Sequence, residues 1–457
     1  MGGQGSSWNN WMLEVECWRL NVFLIPSALL ALNFLTATTN HAENLLLSNG
    51  IIHTVSSGAI TNGEVFVQNG KIVQVWDTSG ARERKILPTD VTVIDLKGQH
   101  LYPGMIALNT DLGLMEIEAV RATRDDREVG EYTPEVLSWL AVNPDSELLP
   151  VARANGVSHF EPVPQGGVVA GQSGLVVLTG WTSEQMAVKK PLTLHVFWPS
   201  AELNTTPKEK SRDKANWKSL EDQAKAHREK LKALDEFFAD ARAYAKARDA
   251  AKDTRRIPSW EAMLPVVRGE IPVTIHADDV RDIRAAVYWG ETNKFKITIA
   301  EGRDAWKAAA LLAEKKIPVL YANVFTQPPR DVDRYDVQFA APEVLRKAGV
   351  KVVFATGLSS ESLVKNLPYH AAQAVAFGFP ADEALKGITL YPAQVAGVAD
   401  KLGSIEAGKE ATLFVCDGDI LDIRSNVKRM WIAGKEVSLE SRHTRLYEKY
   451  RNRPKTN

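Results

Sequence analysis

Several side chains able to move protons or hold a cation stand at the ends of strand-like apolar runs. His195 lies in PLTLHVFWP, His276 in PVTIHADD and Glu301 in TIAEG, while Asp111 follows the run GMIALNT two positions after Asn109. Alternate residues on a strand share a face, so Asn109 and Asp111 would look the same way. Imidazoles and carboxylates in one place support general acid–base catalysis. A histidine so placed can equally be a buried strand-end residue satisfied by a single hydrogen-bond partner.

Three further stretches could meet a ligand. The loop GLMEIEAVRATRDDREVGEY, residues 113–132, carries Arg121 among interleaved acids and bases. It could offer a guanidinium to a substrate carboxylate, or its charges could simply neutralise one another in solvent. The turn PVPQGGVVAGQSG lacks the spacing that cradles a phosphate, which leaves Gln172 or Ser173 as contacts. In KNLPYHAAQAVAFG, His370 would orient a substrate or only begin a helix. No Gly-x-Ser-x-Gly elbow and no zinc-type cysteine spacing exists.

The elements that must position these groups are legible as apolar runs. Eight candidate strands, 104–111, 157–163, 174–178, 192–197, 271–276, 295–300, 317–321 and 351–356, alternate with helical patterns and point to a parallel α/β sheet closed into a barrel. An open doubly wound sheet is the competing architecture. Both flanks are different. Residues 44–96 and 412–437 read as short antiparallel strands, with hairpin turns at Asn69-Gly70 and Ala433-Gly434, so the two chain ends could pair as one satellite domain. Residues 207–256 are densely charged with apolar positions at helical spacing, which predicts an inserted long helix or helical hairpin that either packs passively or caps the barrel.

Charge and leader narrow the setting. Lys plus Arg number 55 against 56 acids, a balance that gives no reason to expect nucleic acid or an anionic membrane and favours a small-molecule substrate or ligand. Homo-oligomerisation stays open. Val22–Leu35 is too short to span a bilayer and reads as the core of a secretory signal over residues 1–42, cleaved after Ala42, giving a secreted or periplasmic protein with no stable membrane span. Cys17 would leave with that segment, and Cys416 alone makes no disulfide.

GKIVQVW, VIDLKGQHLYPGMI and LKGITLYPAQVAGVADKLGSIEAGKEATLFVCDGD together resemble the metal-dependent amidohydrolase superfamily, in its imidazolonepropionase-like branch. The resemblance implies a TIM (β/α)8 barrel at 104–395, interrupted by 207–256, with a composite β-sandwich from 43–103 and 396–440 and a tail at 441–457. It implies hydrolysis of carbon–nitrogen bonds other than ordinary peptide bonds. It also implies metal ligands at strand ends, where this chain departs: Asn109 and Asp111 replace a His-x-His pair, no Lys lies in the fourth strand, Glu301 replaces a His, and Gly357 replaces the Asp that activates water. His276 alone matches. Asp111, His195, His276 and Glu301 could hold one Zn²⁺ or another divalent metal, or Glu301 could act as general base beside it, with His276 in the catalytic set. Metal-free acid–base catalysis and a non-catalytic barrel that binds a ligand or partner are the alternatives.

Overall fold

Asn69 and Gly70 both adopt positive φ, 52° and 75°, the backbone that a two-residue hairpin turn requires. The strands on either side pair accordingly in the computed structural model, which describes residues 44–79, 87–251, 255–359 and 361–454. The expected signal segment and Cys17 lie outside the described residues. The first strands are β1 (Asn44–His53), β2 (Ala59–Gln68), β3 (Lys71–Asp77), β4 (Val91–Asp95) and β5 (His100–Pro103). The next eight are β6 (Met105–Thr110), β7 (Val157–Pro162), β8 (Val169–Val177), β9 (Ala187–Phe197), β10 (Val273–Ala277), β11 (Ile297–Glu301), β12 (Val319–Tyr321) and β13 (Val352–Phe354). β14 (Leu413–Cys416), β15 (Val427–Ile432) and β16 (Lys435–Glu436) follow.

The chain's two flanks meet in one mixed sheet of order β16-β15-β14-β5-β1-β2-β3, with β4 beside β1. β14 pairs with β5, so the sheet joins residues over 300 positions apart, Leu413 opposite Pro103. Alternate residues Leu45, Leu47, Val65, Val67, Leu413 and Val415 point to one side and form its apolar core with Trp431.

β6 to β13 form the second sheet in sequence order. No pairing joins β13 to β6 among the described residues, so the barrel is nearly closed. Its interior is apolar at Ile106, Leu108, Leu175, Leu192, Leu320 and Val353. The expectation of eight parallel strands is corrected at one place: β8 runs antiparallel to both β7 and β9, while every other neighbouring pair is parallel. The cause is the link 163–168, since a parallel return needs a crossover of about a dozen residues or more and this one has room only for a turn.

Among its described residues the inserted segment holds one α-helix, Leu220–Ala250, started by Ser219, whose hydroxyl accepts the Asp222 N–H. Leu234, Phe238, Ala241 and Ala245 recur every three or four residues and form its buried face. Phe238 meets Trp289 edge-on at 5.0 Å and tilts against Phe295 at 5.3 Å, which fastens the helix to the outside of the barrel. No described helix is long and apolar enough to cross a membrane. Phe238→Ala is expected to cost about 3–5 kcal/mol in denaturant unfolding; a loss below about 1 kcal/mol, the level of surface changes, would show that the helix is not fastened there.

Candidate active site

β9 and β10 run parallel with His195 opposite Thr274, which brings His195 and His276 side by side at the barrel mouth. His195 Nδ1 lies 3.0 Å from His276 Nε2. On its other side, His195 Nε2 approaches Glu161 Oε1 at 3.3 Å, a contact without ideal hydrogen-bond alignment. Glu161 stands on β7, fully enclosed, and takes two better bonds: from the Ser173 hydroxyl at 2.7 Å and from the Asn109 backbone N–H at 3.1 Å.

These partners fix where the charges sit. Burial alone would raise the Glu161 carboxyl, but the adjoining His195, with the bonds from Ser173 and the Asn109 N–H, outweighs it and holds Glu161 below the usual carboxylate range. Burial in turn pushes His195 down, against the pull of Glu161. Glu161 is therefore the anion and His195 the neutral imidazole, its Nε2 proton facing Glu161. Its Nδ1 is left to accept the His276 Nε2–H, which leaves the other ring nitrogen of His276, Nδ1, turned outward.

That Nδ1 faces Glu301 Oε1 at 3.5 Å. The Asn109 side-chain amide donates to the same oxygen at 2.9 Å, so Glu161, His195, His276, Glu301 and Asn109 close into a ring around the mouth. Phe197 stacks flat on His276, centroids 4.1 Å apart. His276 Nδ1 and Asn109 Oδ1 are buried and have no hydrogen-bond partner among the described residues. Asn109 and Glu301 both have left-handed backbones, φ 58° and 68°, a strain that clusters at functional sites. A second carboxyl, Asp278, accepts the Arg303 backbone N–H at 2.9 Å and the Asn323 amide at 3.3 Å. Burial first, and the Glu301 charge after it, push Asp278 above the usual range.

The expected ligand set Asp111, His195, His276 and Glu301 does not gather round one point. His195 spends its nitrogens on Glu161 and His276, and the two nitrogens of His276 face opposite ways, towards His195 and Glu301. Asp111 is turned to Ser359, whose backbone N–H it accepts at 2.6 Å. Among the described residues no group of three or more His, Cys, Asp or Glu side chains is disposed to hold a metal ion. A catalytic zinc needs about three protein ligands, and this arrangement does not fit one.

The expected substrate contacts fall in different places. Asn109 is in the ring. Gln172 gives its amide to the Pro134 and Ala262 carbonyls at 3.2 and 2.8 Å, a structural tie. Arg121 is exposed and donates to the Arg124 carbonyl of its own loop. Arg124 is the guanidinium within electrostatic reach of Asp111; its bonds to Asp126, and then Glu118 and Asp111, hold it in the charged form. His370 is buried edge-on against Phe325 at 4.8 Å, and burial lowers it to about 4, so it is neutral near pH 7. Glu161 and Asp278 were not anticipated. Glu161 had a signal, as the one charged residue inside the apolar run VSHFEP, and Asp278 follows His276 by two positions.

A cleft of about 490 Å³ opens beside Phe197, lined also by Trp198, His227 and Lys230 from the start of the inserted helix.

Residues 186–437 match the family model described as the amidohydrolase family, and the chain belongs to that family. An amidohydrolase from Thermotoga maritima MSB8 superposes with a TM-score of 0.74 at 26% identity, over 86% of this chain and 99% of that one. Amidohydrolase tasK of Hapsidospora irregularis is 23% identical over 410 residues, 81% of this chain and 39% of that protein. The imidazolonepropionase of Mesorhizobium japonicum is 28% identical over 160 residues, 32% of this chain and 35% of that enzyme. The matches thus span at most about two fifths of these curated relatives' length.

With its folded value below the ordinary 4.5, Glu161 contributes stability above about that pH and loses it as pH falls through the depressed value. Wild type is therefore expected to exceed Glu161→Gln in unfolding free energy at pH 7, with the gap shrinking from pH 4.5 downward. A gap that stays constant between pH 7 and pH 3, by denaturant titration, would mean Glu161 is not held as an anion.

Proposed function

We propose that this chain hydrolyses a carbon–nitrogen bond other than an ordinary peptide bond in a small molecule, with Glu301 as general base and without a bound metal. The observation that carries this reading is where the Glu301 carboxylate lies. A Cβ added at Gly357 would stand 3.5 Å from Glu301 Oε2, so the carboxylate of the sixth barrel strand reaches the space that an aspartate on the eighth would fill. The water-activating base implied by the family resemblance has changed strand and kept its neighbourhood.

The unmatched acceptors His276 Nδ1 and Asn109 Oδ1 suit a bound donor, either water or a substrate N–H. A water held between His276 and Glu301 gives a proton to Glu301 while its oxygen adds to the substrate carbon. The carbon–nitrogen bond then breaks with its electron pair on nitrogen, and Asp278, kept protonated more readily than an ordinary carboxyl, supplies the proton that nitrogen needs. Glu301 later releases its proton to solvent and Asp278 regains one, which balances the cycle. Because the donors around His276 are turned on one another, no step passes through a metal. The apolar run Val22–Leu35 supports an exported location for this chemistry.

Purified protein assayed on a panel of cyclic imides, ureas and dipeptide-like amides is expected to turn over at least one class. Glu301→Gln should then lower kcat/KM by about 10²–10⁴, while exhaustive chelation leaves the wild type active. Activity lost on chelation and restored by Zn²⁺ would move the chemistry to a metal. A folded protein that binds panel members and turns over none of them would favour a non-catalytic binding barrel.

A further inference from the structure

The barrel also opens at the end away from the mouth. A cavity of about 160 Å³ enters between the strand starts, and its layers differ in chemistry. Lys296, Lys316 and Lys351 stand at the outer rim, just before β11, β12 and β13. Lys351 donates to Gln394 Oε1 at 2.6 Å, and nearby Lys189 donates to the Ala396 carbonyl at 2.7 Å. The Lys296 and Lys316 ammonium groups have no hydrogen-bond or ion-pair partner among the described residues. Burial, then repulsion from Lys296, holds both Lys189 and Lys351 below the ordinary lysine range, with Asp400 offsetting part of this at Lys189. The rim therefore carries more positive charge than its own acids balance.

Further in, the walls are apolar at Leu108, Leu192 and Leu320, with the hydroxyls of Thr193, Thr274 and Thr298 on three adjacent strands. Thr193 and Thr274 already bond each other at 3.1 Å. At the inner end lies the Glu161 carboxylate, the anion of the mouth ring seen from below. A cavity with cations outside and an anion inside orients its occupant: a negative group faces out, and the inward end carries no negative charge. The volume is close to that of an apolar protein cavity known to hold one six-carbon ring, about 150 Å³.

We propose that this opposite end of the barrel is a second binding site, which takes a small monocarboxylate with a short apolar body, its carboxylate between Lys296, Lys316 and Lys351. Dianions such as phosphate gain the rim but have no apolar part to fill the walls, and a second negative group further in would meet Glu161. The site opens at the opposite end from the mouth and meets it only at Glu161.

Isothermal titration of the full chain with butyrate, benzoate and inorganic phosphate tests it. Butyrate or benzoate is expected to bind, with affinity reduced by about tenfold or more in Lys296→Met/Lys316→Met, as loss of charge-assisted bonds requires. Both lysines are exposed, so the double variant should fold as the wild type does. Glu301→Gln, at the other end, should leave that affinity within about twofold, a change of well under 1 kcal/mol. No binding by either carboxylate, phosphate binding as well as benzoate, an unchanged affinity in the lysine variant, or a loss in Glu301→Gln would each overturn the assignment.

Discussion

A buried carboxylate has to be met by donors or neutralised, and Glu161 is such a group in the middle of this barrel. Three elements supply the donors: the Asn109 backbone on β6, Ser173 on β8 and His195 on β9. Each contact also constrains its owner. His195 must keep a proton on Nε2, which makes its Nδ1 an acceptor, which orients His276, whose remaining nitrogen ends at Glu301. One buried anion thus decides proton positions as far as the opposite side of the mouth. The same chain of dependence explains why these imidazoles are poorly disposed as metal ligands: each turns one nitrogen to the other, and the outer nitrogens face separate carboxylates, Glu161 and Glu301.

The reversed strand belongs to this arrangement. A parallel third strand would need a crossover outside the sheet between β7 and β8. The short link leaves that outer face free, and the rim segment 132–137 lies along β8 instead, with Tyr132 and Leu137 bridging to Val169 and Gln172. Gln172 then ties this segment and the helix Pro258–Val267 together through two carbonyls. Close approach of backbone is what Gly171 permits: at φ 129° it lies against Val136, where an added Cβ would come within 2.7 Å of the Val136 carbonyl oxygen. Ser173, on the neighbouring stretch of β8, is free to point inward at Glu161.

What was legible in the sequence was periodicity and position. The strand runs, the pairing of the chain ends and the buried stripe of the long helix all follow from apolar spacing, and His276 and Glu301 stood out because each closes such a run. Direction was not legible from a strand's own residues, since a two-residue alternation reads the same both ways; only the length of the 163–168 link carried it. Glu161 was hidden for a related reason. One acid in VSHFEP has no motif around it, and its meaning depends on partners from β6, β8 and β9 that lie 52, 12 and 34 positions away by number, Asn109, Ser173 and His195. The loop arginines show the limit of spacing in irregular chain: Arg121 and Arg124 are alike in sequence, yet around the turn Arg121–Thr123 one bonds the loop's own carbonyl at Arg124 and the other the Asp126 carboxylate.

The left-handed residues explain how a carboxylate from one strand can stand beside another. Non-glycine residues avoid this conformation by roughly 1–2 kcal/mol, yet Asn109 and Glu301 both adopt it and are bonded to each other through the Asn109 amide at 2.9 Å. Glu301 is followed by Gly302, also at φ 68°, so the chain turns sharply as it leaves β11. That turn swings the side chain across the mouth instead of along the strand, towards Gly357, where a glycine at φ 83° leaves the room. Neither change suffices alone. A bulky eighth-strand neighbour would crowd a glutamate on the sixth strand, and a bare glycine without the turned glutamate would leave no carboxylate in that position. Glu301 and Gly357 therefore act as one spatial pair, held in place by the bond from Asn109 and, through the Asn109 backbone, by Glu161.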